Sequence, residues 1–215
     1  MTTSAVDIEP APSSRRAIRT GILERLKIET AADHAAIEDA TGIMSPRLGL
    51  DDYRTYLAST FGYYAAVEPK LREAGVWPAL QLSASGRQKL PLLRRDLRAL
   101  GVTELGGLPR CESPPEWSNV AEAVGGAYVL EGSTLGGRVI SRHVQQRFGA
   151  RVPRAFLECY GTRTGESWQA FRVALCRFAS SREIEPGIID GARSTFQSFT
   201  RWLQHHQRSA VRAAG

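Results

Sequence analysis

Five glycines, Gly125, Gly126, Gly132, Gly136 and Gly137, fall within thirteen consecutive positions, "GGAYVLEGSTLGG", whose apolar residues nevertheless recur at helical spacing. Each glycine in a helix interior costs about 1 kcal/mol relative to alanine. Such a segment holds as a helix only in a fold that brings something close to its backbone. Gly125, Gly132 and Gly136 are separated by seven and four residues and share one stripe. A stripe without Cβ atoms admits a neighbouring helix or a flat ligand equally well.

The rest of the chain reads as helices around that one. Strand signals are nearly absent while the 3.6-residue period recurs, which predicts an all-α, single-domain bundle. A first helix is predicted over about 18–41, with Leu23, Leu26, Thr30, His34, Ile37 and Thr41 along one face and a stop at Gly42. A second, about 51–74, carries Tyr53, Leu57, Phe61, Tyr64 and Leu71 and stops at Gly75; a third, about 90–100, stops at Gly101. Ser113-Pro114-Pro115-Glu116 reads as a capping box opening the glycine-rich helix, which closes near Gly149. Helical turns at 153–160 and helices over about 166–180 and 186–206 complete the pattern. Residues 1–17 are expected to be disordered, 18–207 to form the domain and 208–215 to fray.

Composition narrows the function. The net charge of +6 comes from 28 basic and 22 acidic residues, and 25 of the basic ones are Arg scattered along the chain. That favours an acidic small molecule or protein over nucleic acid. The basic run "RRDLR" at 94–98 is a solvated surface unless a recognition helix accompanies it. Cys111, Cys159 and Cys176 form no CxxC pair and are odd in number, against a disulfide framework or a zinc site; they read as small buried hydrophobes. No stretch approaches the ~20 apolar residues of a membrane span and no signal-peptide core is present, so no membrane partner and a cytoplasmic, reducing location are expected.

His34 sits on the apolar stripe of the first helix, either as a satisfied core residue or as a ligand. Glu38 lies one turn C-terminal, where its carboxylate can lean back to the imidazole and leave Nε2 free for a metal. Lys27, seven residues before His34, lies on the same face about 10.5 Å away. Haem held through His34 would bring a propionate near that ammonium, and the glycine stripe could cover the other face. Solvated flanks and helix–helix packing are the competing readings. A di-iron site would need Glu-x-x-His pairs. The positions three before His34, His143, His205 and His206 are Ala31, Ile140, Trp202 and Leu203. His143, His205 and His206 read as surface or helix-end residues, and Trp168 and Trp202 as core anchors.

"LKIETAADHAAIE" (26–38) resembles the proximal helix of haem oxygenases, and "YVLEGSTLGGRVI" (128–140) their distal helix. Both are closest to the bacterial, biliverdin-producing members associated with bacteriophytochromes. With "SWQAFRVALCRFASSREIEPGIIDGARSTFQSF" (167–199) the resemblance spans about 18–205. It implies haem sandwiched between the first and fourth main helices. His34 would be the axial iron ligand, Glu38 its partner, Lys27 and Arg172 propionate ligands, and Thr30, Tyr128 and Phe196 packing residues. Gly132 and Gly136 would be the distal glycines. Ser133 stands where many members have an aspartate that organises distal water, and a hydroxyl cannot carry that charge. Glu131 points about 100° away from the site, and Arg138 toward solvent.

The implied reaction opens haem, both substrate and cofactor, with dioxygen to biliverdin, carbon monoxide and ferrous iron. Electrons would come from an external donor, a ferredoxin or flavoprotein reductase, and a bacteriophytochrome would receive the biliverdin. A haem carrier or sensor on the same fold is the alternative; it would make no biliverdin when given a reductant.

Overall fold

The computed structural model describes residues 21–213, with side chains through residue 206. The segment expected to be disordered, 1–17, lies outside the described residues, as do the last two residues of the expected frayed tail. Among the described residues the architecture is helical, without strands: α1 Ile22–Glu29, α2 Ala31–Thr41, α3 Leu50–Glu73, α4 Val76–Ala79, α5 Leu90–Ala99, α6 Val120–Phe148, α7 Thr164–Phe178 and α8 Glu185–Ala213.

Glycine supplies the punctuation. Gly42, Gly75, Gly101 and Gly149 all have positive φ, the left-handed backbone that ends a helix without a Cβ penalty. The predicted first helix differs, being divided at Thr30 into α1 and α2. The Thr30 hydroxyl donates to the Leu26 carbonyl at 2.7 Å, alongside its own backbone N–H at 3.0 Å. Such back-bonding bends a helix, and Thr30 sits at φ −108°, ψ 8°.

The start of α6 is also later than predicted. Pro114 and Pro115 lack amide hydrogens and disfavour helical geometry before them, so 113–119 is not helical. The cap is Asn119: its Oδ1 accepts from the Glu122 N–H at 3.1 Å, while Glu122 accepts from the Ser118 N–H at 2.9 Å.

α3 is the central beam. Tyr53, Leu57, Phe61, Tyr64, Val67 and Leu71 are all buried, each contributing roughly 1.5–3 kcal/mol for its side chain. α8 crosses α6 in backbone contact. A Cβ on Gly125 would lie 1.9 Å from the Ile188 carbonyl oxygen, and one on Gly191 1.9 Å from the Glu122 oxygen. α2 also packs on α8, so α8 is the shared support of α2 and α6. No helix among the described residues is long and apolar enough to cross a membrane.

Candidate active site

The five glycines of α6 separate by what lies opposite them. Gly125 is required by the backbone of α8. Gly126 lies under Trp117, whose ring a Cβ would meet at 2.2 Å, and Gly137 lies against the Leu157 carbonyl at 2.8 Å. For these three, close packing accounts for the missing side chain. Gly132 and Gly136 are different. A Cβ on Gly132 would make ordinary contact with the Trp168 ring at 3.5 Å, and one on Gly136 would meet nothing within 4 Å. Neither has positive φ. Protein packing and backbone conformation leave the helix penalty at Gly136 unexplained, so the bare backbone there suits a flat ligand approaching α6. The exposed Leu135 and Val139 flank it with apolar surface.

On α2 the His34 imidazole is exposed, its side chain 59% accessible, rather than packed into the core. Glu38 reaches back as its spacing predicts: Oε1 lies 3.8 Å from Nδ1, within ion-pair range but beyond a hydrogen bond. Phe196 of α8 meets the ring edge-on, with centroids 5.7 Å apart. Gln197 Nε2 donates to Asp33 Oδ1 and Arg193 Nε to the Glu29 carbonyl, both at 3.1 Å, pinning this segment to α8. Lys27 is exposed. Thr30 is buried with its hydroxyl spent on Leu26, leaving only its methyl group for packing.

Tyr128 of α6 lies within electrostatic range of Arg172 of α7. Burial pushes the Tyr128 phenol up, and the Arg172 guanidinium opposes that shift. Arg172 is exposed and donates to Gln169 Oε1 at 3.1 Å. Trp168 contacts Tyr128 at 5.7 Å between centroids and stacks on Phe171. It therefore stands beside Gly132 as well as anchoring the core.

Ser133 is exposed, and its Oγ donates to the Leu130 carbonyl at 2.9 Å. The Tyr64 hydroxyl lies 3.3 Å from the same oxygen. Sequence reasoning saw Tyr64 only as a core residue, since a contact across 69 positions leaves no periodic trace. Glu131 turns to the rear of α6 as expected. There it is buried, paired with Arg87 and with Lys89 Nζ at 2.5 Å, and accepts from Tyr160 Oη at 2.9 Å. Beside it lies a cavity of about 140 Å³ lined by Tyr64, Glu68, Arg72, Arg87 and Lys89.

Other expectations change. His143 is half-buried, with Nε2 3.1 Å from the Ser45 carbonyl, and ties α6 to the turn before α3. His206 does not end a helix, because α8 continues to Ala213; it packs on Trp202 with centroids 3.8 Å apart. Of the cysteines, all free, only Cys111 is buried; Cys159 is half-buried and Cys176 exposed. Arg138 is exposed.

Comparison with known proteins gives the family and the fold. A family model described as Heme oxygenase matches residues 20–205. The heme oxygenase of Xanthomonas campestris pv. campestris (strain 8004) is 32% identical over 122 residues, 57% of this chain and 71% of that protein. Among solved structures, the NO- and CO-bound heme oxygenase of Neisseria meningitidis superposes with a TM-score of 0.72 at 23% identity, covering 87% of this chain and 92% of that one. Heme oxygenase-1 of Synechocystis sp. PCC6803 in complex with heme gives 0.71 at 14% identity, covering 91% and 96%. The Leptospira interrogans enzyme gives 0.71 at 15%, covering 86% and 100%. At these identities the structural likenesses establish the shared helical fold.

Proposed function

This chain belongs to the haem oxygenase family, enzymes that degrade haem, and on that premise we propose that it opens haem to biliverdin, carbon monoxide and ferrous iron between α2 and α6. The observation that carries the site is Gly136, a glycine in a helix interior that no neighbour among the described residues and no backbone angle requires. A planar macrocycle lying against α6 gives that position its reason.

Haem, when bound, supplies the iron at which dioxygen is reduced and the ring that is opened. The protein's residues bind, orient and control water. His34 would hold the haem iron through Nε2. Glu38, 3.8 Å from Nδ1, stands on the Nδ1 side of the imidazole, so that a small approach of its carboxylate would favour the tautomer that leaves Nε2 unprotonated. Phe196 fixes the ring plane from α8. Lys27 and Arg172, exposed cations on α1 and α7, take the propionates as charge-assisted pairs, and Thr30 and Tyr128 pack against the macrocycle. Gly132 and Gly136 set how near the ring comes to α6. Ser133 holds water on that side through a hydroxyl that donates and accepts. The electrons come from a ferredoxin or flavoprotein reductase in the cytoplasm, and a bacteriophytochrome takes up the biliverdin.

Haem titration of the wild type and of His34→Ala tests the site. The wild type binds one haem with the absorption of an imidazole-ligated iron, and the variant loses that signature and biliverdin formation on adding reductant. An unchanged spectrum and turnover in His34→Ala would remove His34 from the site.

A further inference from the structure

We propose that Glu68 is the acid that loads protons for this reaction and that Tyr64 passes them through the packing behind α6 to Ser133. The proposal rests on the reading above, in which haem lies against Gly132 and Gly136.

The α6 face toward the site offers a hydroxyl at position 133 and no carboxylate, so a proton consumed there must arrive from elsewhere. Tyr64 is the side chain in contact with Ser133 from behind. It is 2% exposed, with its hydroxyl 3.3 Å from Ser133 Oγ. Because the Ser133 hydrogen is directed at the Leu130 carbonyl, the remaining hydrogen between the two oxygens belongs to Tyr64, which donates to Ser133. Burial holds the Tyr64 phenol well above its ordinary range, so it stays a protonated donor.

Glu68 lies one helical turn after Tyr64 on α3, and both line the cavity behind α6. The lining runs from exposed Arg72, Gln88 and Arg94 to buried Tyr64 and Glu131, connecting solvent with the interior. About 140 Å³ holds several waters. The two carboxylates of the cavity have different partners. Glu131 is locked between Arg87, Lys89 and Tyr160 and is a fixed anion. Glu68 accepts from the Lys89 backbone N–H at 2.5 Å and has no side-chain cation within 4.0 Å among the described residues. It faces Lys89 and Glu131, with Tyr64, Arg72, Arg87 and Arg94 lining the same cavity. Burial raises its carboxyl, partly offset by the Lys89 N–H and ammonium, so it retains a proton more readily than an ordinary glutamate.

The transfer balances as one proton with no change of oxidation state in any side chain. The Ser133 hydroxyl turns from Leu130 and gives its proton to the acceptor at the α6 face. Ser133 takes the Tyr64 proton; Tyr64 is restored from the Glu68 carboxylic acid through a cavity water, and Glu68 is reprotonated from solvent.

The variants Glu68→Gln and Tyr64→Phe test this with two readouts. In haem-free protein, pH-difference infrared spectra of the wild type show a carboxylic acid carbonyl persisting above the ordinary glutamate range, and the band disappears in Glu68→Gln. In haem-loaded protein, both variants keep haem affinity and absorption while turnover falls about tenfold or more and its alkaline limb flattens, as for loss of an acid–base group. The double variant is no slower than either single one. A Glu68→Gln protein with the wild-type rate and pH profile, or with the infrared band retained, overturns the relay and leaves the haem site standing. Failure of the wild type to bind haem through His34 would instead overturn the site. Should Glu68→Gln not fold, Tyr64→Phe, which removes one oxygen, decides by the same pH profile.

Discussion

Gly136→Ala is expected to make the haem-free protein more stable and the haem-binding protein worse. The new methyl meets no atom within 4 Å, so nothing opposes the gain of helix propensity, about 1 kcal/mol at an exposed helix-interior position. For a chain of this size that raises Tm by roughly 2–4 °C. In the proposed site the same methyl would stand where the macrocycle approaches α6. A misfit of the usual overpacking size, about 1–3 kcal/mol, weakens haem affinity by roughly five- to 150-fold. Gly125→Ala is the control, since its Cβ would lie 1.9 Å from the Ile188 oxygen and 2.7 Å from the Ala192 nitrogen, both backbone. Neither atom can turn away, so the crossing of α6 and α8 must open, and the overpacking cost exceeds the propensity gain. Thermal or urea unfolding of the haem-free proteins, with haem titration of each, measures both quantities. A drop in stability for Gly136→Ala, or unaltered haem affinity, refutes the assignment of that face to the ligand.

Asp96 is buried and accepts from the Ala155 and Phe156 N–H groups at 2.9 and 2.8 Å, holding the loop whose Leu157 carbonyl lies against Gly137. Asp96→Ala orphans both donors and should cost about 2–4 kcal/mol, read as a lowered urea midpoint. The folded-state pKa of Glu68 lies above the reference value of 4.5 because of burial. Its contribution is therefore complete below 4.5 and lost as pH rises through the folded value, and Glu68→Gln should flatten that part of the stability–pH curve. Cys176 is exposed, whereas burial both shields Cys111 and pushes its thiol up. A thiol reagent should label Cys176 first, as located by peptide mapping.

Much of this fold was legible because local chemistry and the global structure agree. Gly42, Gly75, Gly101 and Gly149 each end a helix through the backbone freedom that marks them in the sequence. The stripe of α3 is buried as its period predicts. The Thr30 break escaped because its cause is a side-chain-to-carbonyl bond inside an unbroken apolar period. The start of α6 was misplaced because Ser113-Pro-Pro-Glu116 and Asn119–Glu122 carry similar capping signals, and only the latter is free of paired prolines. In the site, the 34–38 spacing foretold the approach of Glu38 to His34. The stripe through Gly125, Gly132 and Gly136 merged two duties that only the surroundings separate, since what opposes each glycine comes from distant segments. Tyr64 and Trp168 gained their places beside Ser133 and Gly132 by tertiary contact alone.

α2 and α6 rest on α8, but they are fastened to it very differently. α6 touches α8 backbone to backbone at Gly125 and Gly191, whereas α2 has only Ala40 buried and is tied near its start by the Gln197–Asp33 hydrogen bond, with Arg193 holding the end of α1 just before it. A segment with so little buried surface opens at far smaller free energy than the core it leans on. The wall that carries the imidazole is thus the hinged one and the glycine wall the fixed one. In the proposed site, a ring losing its planarity would find its room on the α2 side, and amide exchange should be faster across 31–39 than across 121–131.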